Sequence, residues 1–240
     1  MNARPRVGLF VTCLVDLVRP RIGFAAAKLI EQSGCEVVVP PVQTCCGQPA
    51  WNAGADKHAR EIAEQVITAF SKFDYVVAPS GSCAGMIKRH YAEVLNNDPR
   101  ALALAAKTHE LTSFLVNVRG MKAVASKCEA RACYHDSCSS LREMRVRDQP
   151  RALLASVEGL SLHELTDGEV CCGFGGLFSV KYPEISERMA DDKIADASAT
   201  GAEMVIGGDL GCLLHLEGRM RRQGKTMRVR HVAEVLADEP

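Results

Sequence analysis

Short apolar runs alternate with amphipathic segments along the whole chain. In the first half, residues 7–11, 36–39 and 74–78 have the apolar and β-branched character of buried strands. Residues 20–32 and 55–71 carry apolar positions at helical spacing. Strands that alternate with helices form parallel sheets with helices on their faces. The pattern therefore predicts an α/β fold.

The second half repeats this order of elements. Its predicted strands are 131–135, 160–165 and 203–206, and its predicted helices are 150–156, 183–199, 232–237 and one that begins near Cys212. A single long helix is predicted to join the halves, with Asp98 as its N-cap and Gly120 at its end. We therefore expect two pseudo-repeated, Rossmann-like halves, residues 1–122 and 123–240, each with a parallel sheet flanked by helices.

A repeated pattern of cysteines runs through both halves. The tripeptide Cys-Cys-Gly occurs at residues 45–47 and 171–173, and each copy has one cysteine upstream and one downstream. The two sets are Cys13, Cys45, Cys46 and Cys83 in the first half, and Cys138, Cys171, Cys172 and Cys212 in the second. The near-constant offset between them indicates an internal duplication built around thiols. Thiolates in such sets are typical ligands of soft metals, above all of iron–sulfur clusters.

The predicted elements place these cysteines at the edges of the sheets. A predicted strand ends and a helix begins at each of four positions, Cys13, Cys83, Cys138 and Cys212. Ligands collect at the carboxyl ends of parallel strands, and a helix N-terminus favours a thiolate. Adjacent cysteines reach one centre only if the backbone turns, which Gly47 and Gly173 permit because glycine tolerates a positive φ.

Further candidate residues lie outside the two sets. Cys35, Cys128 and Cys133 have no counterpart in the other half. Cys35 is interpreted as a core residue, and Cys128 and Cys133 as cysteines that take no part in metal binding, although Cys133 lies close before Cys138. His215 follows the last cysteine of the second set, at the position that Met86 occupies in the first, and is a candidate iron or zinc ligand. His135 ends a predicted strand and is interpreted as a structural histidine with its own hydrogen-bond partner.

Composition narrows the class of protein. The chain has 240 residues, 11 of them cysteine, and equal numbers of basic and acidic side chains, 29 each. This balance gives no reason to expect nucleic acid or a membrane surface as a partner. An odd number of cysteines with adjacent pairs favours a reducing compartment, so a cytoplasmic location is expected. The sequence has no apolar stretch of the roughly 20 residues that a membrane span needs.

The cysteine spacing resembles that of the cysteine-rich CCG-domain family. In that family a cysteine, Cys-Cys-Gly and a final Cys-x-x-Cys are separated by about thirty-odd residues each, and here the separations are 31 and 36, then 32 and 39. Five further segments resemble the lactate-utilization branch: Gly8-Leu9-Phe10-Val11-Thr12-Cys13, Pro79-Ser80-Gly81-Ser82-Cys83, His135-Asp136-Ser137-Cys138, Cys171-Cys172-Gly173-Phe174-Gly175-Gly176 and Cys212-Leu213-Leu214-His215.

The resemblance implies that each half binds an iron–sulfur cluster, giving up to two in the chain. The last cysteine of the family motif is replaced by Met86 in one half and by His215 in the other. Four thiolates per half suit an ordinary [4Fe–4S] cluster, whereas five cysteines hold the noncubane cluster of the heterodisulfide reductase branch. Zinc at the second site, with His215, is an alternative.

The resemblance also implies a function. We expect an iron–sulfur electron-transfer subunit of a complex that oxidises L-lactate to pyruvate, active only within that complex. Its expected partners are other lactate-utilization subunits, including a ferredoxin-like iron–sulfur protein, and L-lactate is a candidate ligand. The alternatives are a redox subunit similar to heterodisulfide reductase or glycolate oxidase, or a zinc-stabilised interaction module.

Overall fold

The computed structural model describes residues 3–239 of the chain. Residues 1, 2 and 240, the outer ends of the two predicted halves, lie outside the described residues. The first half contains the strands β1 Arg6–Leu9, β2 Glu36–Val38, β3 Tyr75–Ala78 and β4 Thr108–Glu110. Its helices are α1 Cys13–Val18, α2 Arg21–Gln32, α3 Gln48–Asn52, α4 Asp56–Phe70, α5 Gly81–Gly85, α6 Tyr91–Val94, α7 Pro99–Ala106 and α8 Leu111–Ser113, with π-helical turns at Met86–His90 and Phe114–Val118.

The second half has the same succession of elements. Its strands are β5 Lys127–His135, β6 Glu158–His163, β7 Met204–Gly207 and β8 Arg228–His231. Its helices are α9 Cys138–Arg142, α10 Asp148–Leu154, α11 Leu177–Lys181, α12 Pro183–Ala199, α13 Leu210–Arg222 and α14 Val232–Leu236. Among the described helices, none has the length and apolar character that crossing a membrane requires.

The strands form two parallel sheets of four strands each. The order is β2-β1-β3-β4 in one sheet and β6-β5-β7-β8 in the other. The register agrees as well, because Leu9 pairs with Val77 in the first sheet and Tyr134 pairs with Ile206 in the second. Leu9 and Tyr134 each lie four residues before the first cysteine of their set. The predicted α/β fold with two pseudo-repeated halves is confirmed.

The prediction of one long helix between Asp98 and Gly120 is wrong. Helix α7 ends at Ala106, and Thr108–Glu110 then forms the edge strand β4, which pairs with β3. The Glu110 carboxylate accepts a hydrogen bond from Ser113 N at 2.9 Å and so starts a new helix, α8. Helices α7 and α8 both bury apolar residues. The helical spacing of these residues continues through β4, so the sequence alone shows an unbroken helical pattern.

The matching edge strand of the second sheet, β8, was also missed. Its residues Arg228–His231 pair with β7, but three of the four carry charged or polar side chains. Short polar strands lack the apolar run that identifies a buried strand, and their position is fixed by main-chain pairing with the neighbouring strand.

The hydrophobic core is continuous between the halves. Helix α14, at the end of the second half, packs on α2 of the first, and α8, at the end of the first, packs on α10 of the second. Fully or almost fully buried residues from both halves, including Leu29, Leu111, Leu154 and Leu236, belong to one apolar cluster. Each half therefore completes the core of the other, while the division of the chain into domains at residues 122 and 123 stays a prediction.

The halves also meet where α5 packs against α9. A Cβ atom at Gly81 would lie 1.9 Å from Ser140 Oγ and 2.7 Å from Ser140 Cα. Atoms at these distances overlap, so only glycine fits at position 81 while the two helices stay in contact. The contact matters for function because α5 and α9 each begin beside a cysteine of the repeated pattern.

We expect Gly81→Ala to lower the free energy of unfolding by about 1–3 kcal/mol, because the added methyl group forces α5 and α9 apart. Gly218→Ala is the control, since a Cβ atom there would meet nothing closer than Arg222 Nη1 at 3.9 Å in helix α13. Alanine should be neutral or stabilising by up to about 1 kcal/mol at that position. Urea denaturation of the two variants measures the difference, and equal stabilities would contradict the close packing of α5 on α9.

Candidate metal centres

The cysteines that frame each Cys-Cys-Gly segment occupy the first turns of helices. Cys13 is the first residue of α1 and Cys83 the third residue of α5. In the second half, Cys138 is likewise the first residue of α9 and Cys212 the third residue of α13. Each of these helices follows a strand of its sheet, so the framing thiols lie at the carboxyl edges, where sequence analysis expected them.

The two Cys-Cys-Gly segments turn in the same way. Gly47 has φ +86° and Gly173 has φ +87°, so the prediction of a positive φ at both glycines is confirmed. The N–H of Gly47 donates to Cys45 Sγ at 3.4 Å, and the N–H of Gly173 donates to Cys171 Sγ at the same distance. The turn therefore points the first sulfur of each pair back toward the backbone and leaves the second sulfur facing inward.

The structure brings the four predicted thiols of each half together. In the first half, Cys13 and Cys46 lie close enough to Cys45 to lower its pKa, and Cys45 and Cys83 lie close enough to Cys46 to raise the pKa of Cys46. The same order links the thiols of the second half, Cys138, Cys171, Cys172 and Cys212. The Cys171 and Cys138 sulfur atoms, for example, lie 4.0 Å apart.

Burial divides each set into an inner and an outer pair. Cys46, Cys83, Cys172 and Cys212 are buried, whereas Cys13, Cys45, Cys138 and Cys171 are half-buried. Each set thus has one edge in the protein interior and one edge that a partner molecule can approach.

The thiols within a set do not ionise equally. Hydrogen bonds from Cys13 and Cys46 lower the pKa of Cys45 to about 2, and hydrogen bonds from Cys138 and Cys172 lower the pKa of Cys171 to about 2. Hydrogen bonding to Cys45 and to Cys83, with burial, raises the pKa of Cys46 well above its usual value. Cys45 in the first set and Cys171 in the second are therefore thiolates that protonated neighbours stabilise, and a bound metal would displace those protons.

Different side chains support the two Cys-Cys-Gly turns. The buried hydroxyl of Tyr91 donates to the carbonyl oxygen of Cys46 at 2.9 Å in the first half. In the second half, Ser186 Oγ donates to the carbonyl oxygen of Gly173 at 2.8 Å. Both turns are thereby held from the side of the protein interior.

His215, a candidate ligand from the sequence, lies behind the second turn. Its Nε2 is 3.2 Å from Ser186 Oγ and 3.5 Å from the carbonyl oxygen of Ser186, and its ring lies beside Phe174. Burial lowers the pKa of His215, so the ring is neutral near pH 7. In this position His215 supports the serine that holds Gly173, and its role as a metal ligand stays a prediction. Its first-half counterpart Met86 is fully buried in the core.

His135 was expected to have a hydrogen-bond partner, and that expectation is wrong. The side chain is 1% exposed, and neither ring nitrogen has a partner among the described residues. A ring nitrogen of His135 and the sulfur atoms of Cys172 and Cys212 all lie within 4.8 Å of one another. The sequence contained one sign of this difference. His135 lies three residues before Cys138, and the residue three before Cys13 in the first half is Phe10.

Asp209, which sequence analysis did not single out, connects the two sites. Its carboxylate accepts hydrogen bonds from the hydroxyls of Ser80 at 2.6 Å, Ser82 at 2.7 Å and Ser137 at 2.5 Å. The N–H of Ser82, in the first turn of α5, donates to it at 3.2 Å. Ser80, Ser137 and Asp209 are the N-caps of α5, α9 and α13, so one carboxylate joins the starts of three cysteine-bearing helices.

The three cysteines without repeat counterparts lie apart from both sets. Cys35 and Cys133 are buried in the apolar core, and Cys128 packs against that core from strand β5. The interpretation of Cys35 as a core residue is confirmed, while the absence of Cys128 and Cys133 from metal binding stays a prediction.

We expect Gly173→Ala to destabilise the chain more than Gly47→Ala. Both changes force an L-residue into a left-handed conformation, which costs about 1–2 kcal/mol. At Gly173 the new Cβ would also lie 2.5 Å from the carbonyl oxygen of Ser186, whereas at Gly47 the nearest atom is Ile62 Cγ2 at 3.3 Å. Urea denaturation of the reduced, metal-free chain measures both, and equal losses would contradict the tighter second turn.

The comparisons with known proteins agree with this geometry. The model of the CCG cysteine-rich domain family matches residues 7–88 and 132–217, one copy on each half. Lactate utilization protein A of Halalkalibacterium halodurans is 47% identical over 235 residues, covering 96% of each chain. The protein of the same name from Geobacillus kaustophilus is 49% identical, covering 96% of this chain and 98% of its own.

A solved structure shows the same fold. The crystal structure of a hypothetical protein from Helicobacter pylori superposes with a TM-score of 0.70 at 11% identity, covering 98% of this chain. The present chain spans about half of that protein, 49% of its length. From the duplicated thiol sets, the two matches of the family model and the relatives at nearly half identity, it follows that this chain belongs to the cysteine-rich CCG-domain family.

Proposed function

We propose that the chain is an iron–sulfur subunit that transfers electrons in a complex that oxidises L-lactate to pyruvate. The observation that carries the proposal is the gathering of four thiols at the carboxyl edge of each sheet. The relatives' name, lactate utilization protein A, supports lactate as the substrate of the system in which the chain works.

The donor atoms suit iron–sulfur clusters. Cys13, Cys45, Cys46 and Cys83 would hold one cluster, and Cys138, Cys171, Cys172 and Cys212 the other, each of the [4Fe–4S] type. Sulfur is the ligand that such clusters require, and each half has four thiols that lie near enough to shift the pKa of a neighbouring thiol. When bound, a cluster supplies one-electron oxidation and reduction. The protein supplies the preformed turn at each glycine and a buried inner edge that excludes water.

The shape of the first set favours a cluster over a single ion. Four ligands of one tetrahedral zinc ion lie about 3.3–3.8 Å from one another. Within residues 3–239, the one group of three His, Cys, Asp or Glu ligand atoms that are all within 4.8 Å of one another is His135, Cys172 and Cys212. The thiols of the first set form an extended chain instead, which suits a centre with several metal atoms.

The surface beside the first set is unsuited to lactate. A depression of about 370 Å³ adjoins Cys13 and Cys45, and the one charged side chain in its lining is the acidic Asp16. A carboxylate substrate would meet repulsion there and has no cation to bind. We therefore place lactate oxidation on a partner subunit and electron acceptance on this chain.

The same surface suits the approach of a protein. The exposed apolar residues Leu17 and Val39 line the depression beside the two half-buried thiols. In the second half, the exposed Val170 directly precedes Cys171. Apolar side chains around an accessible cofactor are expected where another protein docks. The proposed partners are further lactate-utilization subunits, among them a ferredoxin-like iron–sulfur protein.

Iron analysis of cysteine variants tests the two proposed centres. We expect Cys45→Ser to lose the first cluster and Cys171→Ser to lose the second, so that each variant purified without oxygen keeps about half of the iron and sulfide. Cys128→Ser is the matched control, because this cysteine lies outside both sets and should leave the iron content unchanged. An unaltered iron content in Cys45→Ser and Cys171→Ser would show that these thiols hold no cluster.

Lactate oxidation is tested on the complex assembled with its partner subunits. We expect lactate to bleach the visible absorption of this subunit's clusters, and the bleaching to be lost when Cys45→Ser and Cys171→Ser are combined. Bleaching by glycolate in place of lactate, or recovery of the absorption of reduced clusters when a heterodisulfide is added, would transfer the chain to another redox system. A colourless protein with bound zinc and normal partner binding would instead identify an interaction module.

A further inference from the structure

A buried histidine beside the second thiol set has no partner within the chain. His135 is 1% exposed, and both its Nδ1 and its Nε2 lack a hydrogen-bond partner among the described residues. A buried polar group without a partner is destabilising. The carboxylate next to it in sequence, Asp136, is occupied by Arg151, whose Nη1 and Nη2 donate to it at 2.9 Å and 2.7 Å. The side chains nearest the imidazole are the thiols of Cys172 and Cys212.

The imidazole faces the inner edge of the thiol set. A ring nitrogen of His135 and the sulfur atoms of Cys172 and Cys212 are all within 4.8 Å of one another. Metal–nitrogen and metal–sulfur bonds are about 2.0–2.3 Å long, so the ring nitrogen of His135 is within reach of a metal atom bound beside Cys172 and Cys212. All three residues are buried, which keeps competing water away from such a metal atom.

The first half has no equivalent donor. The register of the two sheets places Phe10 where the second half has His135, three residues before the first cysteine of the set. Phe10 is fully buried, and its ring packs against Phe70 at a centroid distance of 5.5 Å. The two halves therefore share the thiols, but the second half has an imidazole, a side chain able to bind metals, where the first half has an apolar ring.

We propose that His135 is a metal ligand of the second centre, binding a metal atom beside Cys172 and Cys212, while the first centre is held by thiolates alone. The proposal rests on the function proposed above, because the metal atom is an iron of the second cluster.

Pulsed electron paramagnetic resonance tests the ligation. In the full-length Cys45→Ser chain, purified without oxygen and then reduced, the second centre is observed alone. We expect a strongly coupled nitrogen signal that is absent in the added variant His135→Phe, which copies Phe10, and retained in His163→Phe and in His215→Phe. The chain that keeps His135 is also prepared with nitrogen-15 in its histidines, which should change the splitting of the nitrogen signal. This second result does not depend on whether His135→Phe folds.

Three outcomes would overturn the ligation: no nitrogen coupling, a weak coupling of the kind that an N–H donor gives, or a signal that depends on His215. Iron and sulfide are measured on the same samples, so a cluster without nitrogen coupling rejects only the role of His135. A missing cluster rejects the function proposed above.

Cobalt binding gives an answer even without a cluster. The metal-free chain is titrated with Co²⁺ without oxygen, and the visible bands of the bound ion are followed. We expect His135→Phe to weaken binding at the second centre at least about tenfold, as losses around a metal site commonly do. His163→Phe, at the end of β6, removes a ring whose recorded contact is with Ser161 Oγ and should bind Co²⁺ as the unchanged chain does. Equal affinity in His135→Phe would overturn the proposal.

Discussion

The positions of both thiol sets depend on the hydrogen bonds around the carboxylate of Asp209. Removing a carboxylate from water costs several kcal/mol unless hydrogen bonds replace the lost hydration. Here the replacement comes from both halves of the chain, through Ser80 and Ser82 on one side and Ser137 on the other. As the N-cap of α13, Asp209 would be expected to cap its own helix, but its side chain instead accepts the N–H of Ser82 in α5. The starts of α5, α9 and α13 are thereby fixed relative to one another.

Each of those helix starts carries a cysteine. Cys83 belongs to the first set, and Cys138 and Cys212 belong to the second, so the carboxylate links the two centres without contacting either. The packing of α14 on α2 and of α8 on α10 also holds the halves together, because each half covers the core of the other. The two duplicated sheets are therefore fixed relative to each other, with both thiol sets near the contact between the halves. Such a fixed arrangement would suit the electron transfer proposed for the chain.

Much of this arrangement could be predicted from the sequence. The alternation of apolar runs and helical segments gave the α/β class, and the constant cysteine offset gave the duplication, because both are periodic patterns that survive without knowledge of tertiary contacts. The positive φ at Gly47 and Gly173 followed from the need to turn two adjacent thiols toward one centre. The edge strands β4 and β8 were missed because their polar residues carry no strand pattern and depend on pairing with a neighbour. His135 and Asp209 were misjudged or overlooked for a related reason. A missing hydrogen-bond partner and a contact across 127 residues between Asp209 and Ser82 are properties of the folded chain alone.

Native mass spectrometry of the full-length chain, purified and sprayed without oxygen, tests the central claim most directly. The account predicts a chain whose mass exceeds that of the polypeptide by two iron–sulfur clusters, with stepwise loss of one cluster and then the other on exposure to a chelator. A polypeptide that carries no inorganic sulfide when isolated in this way with its partner subunits, or one that carries a single zinc ion, would contradict it.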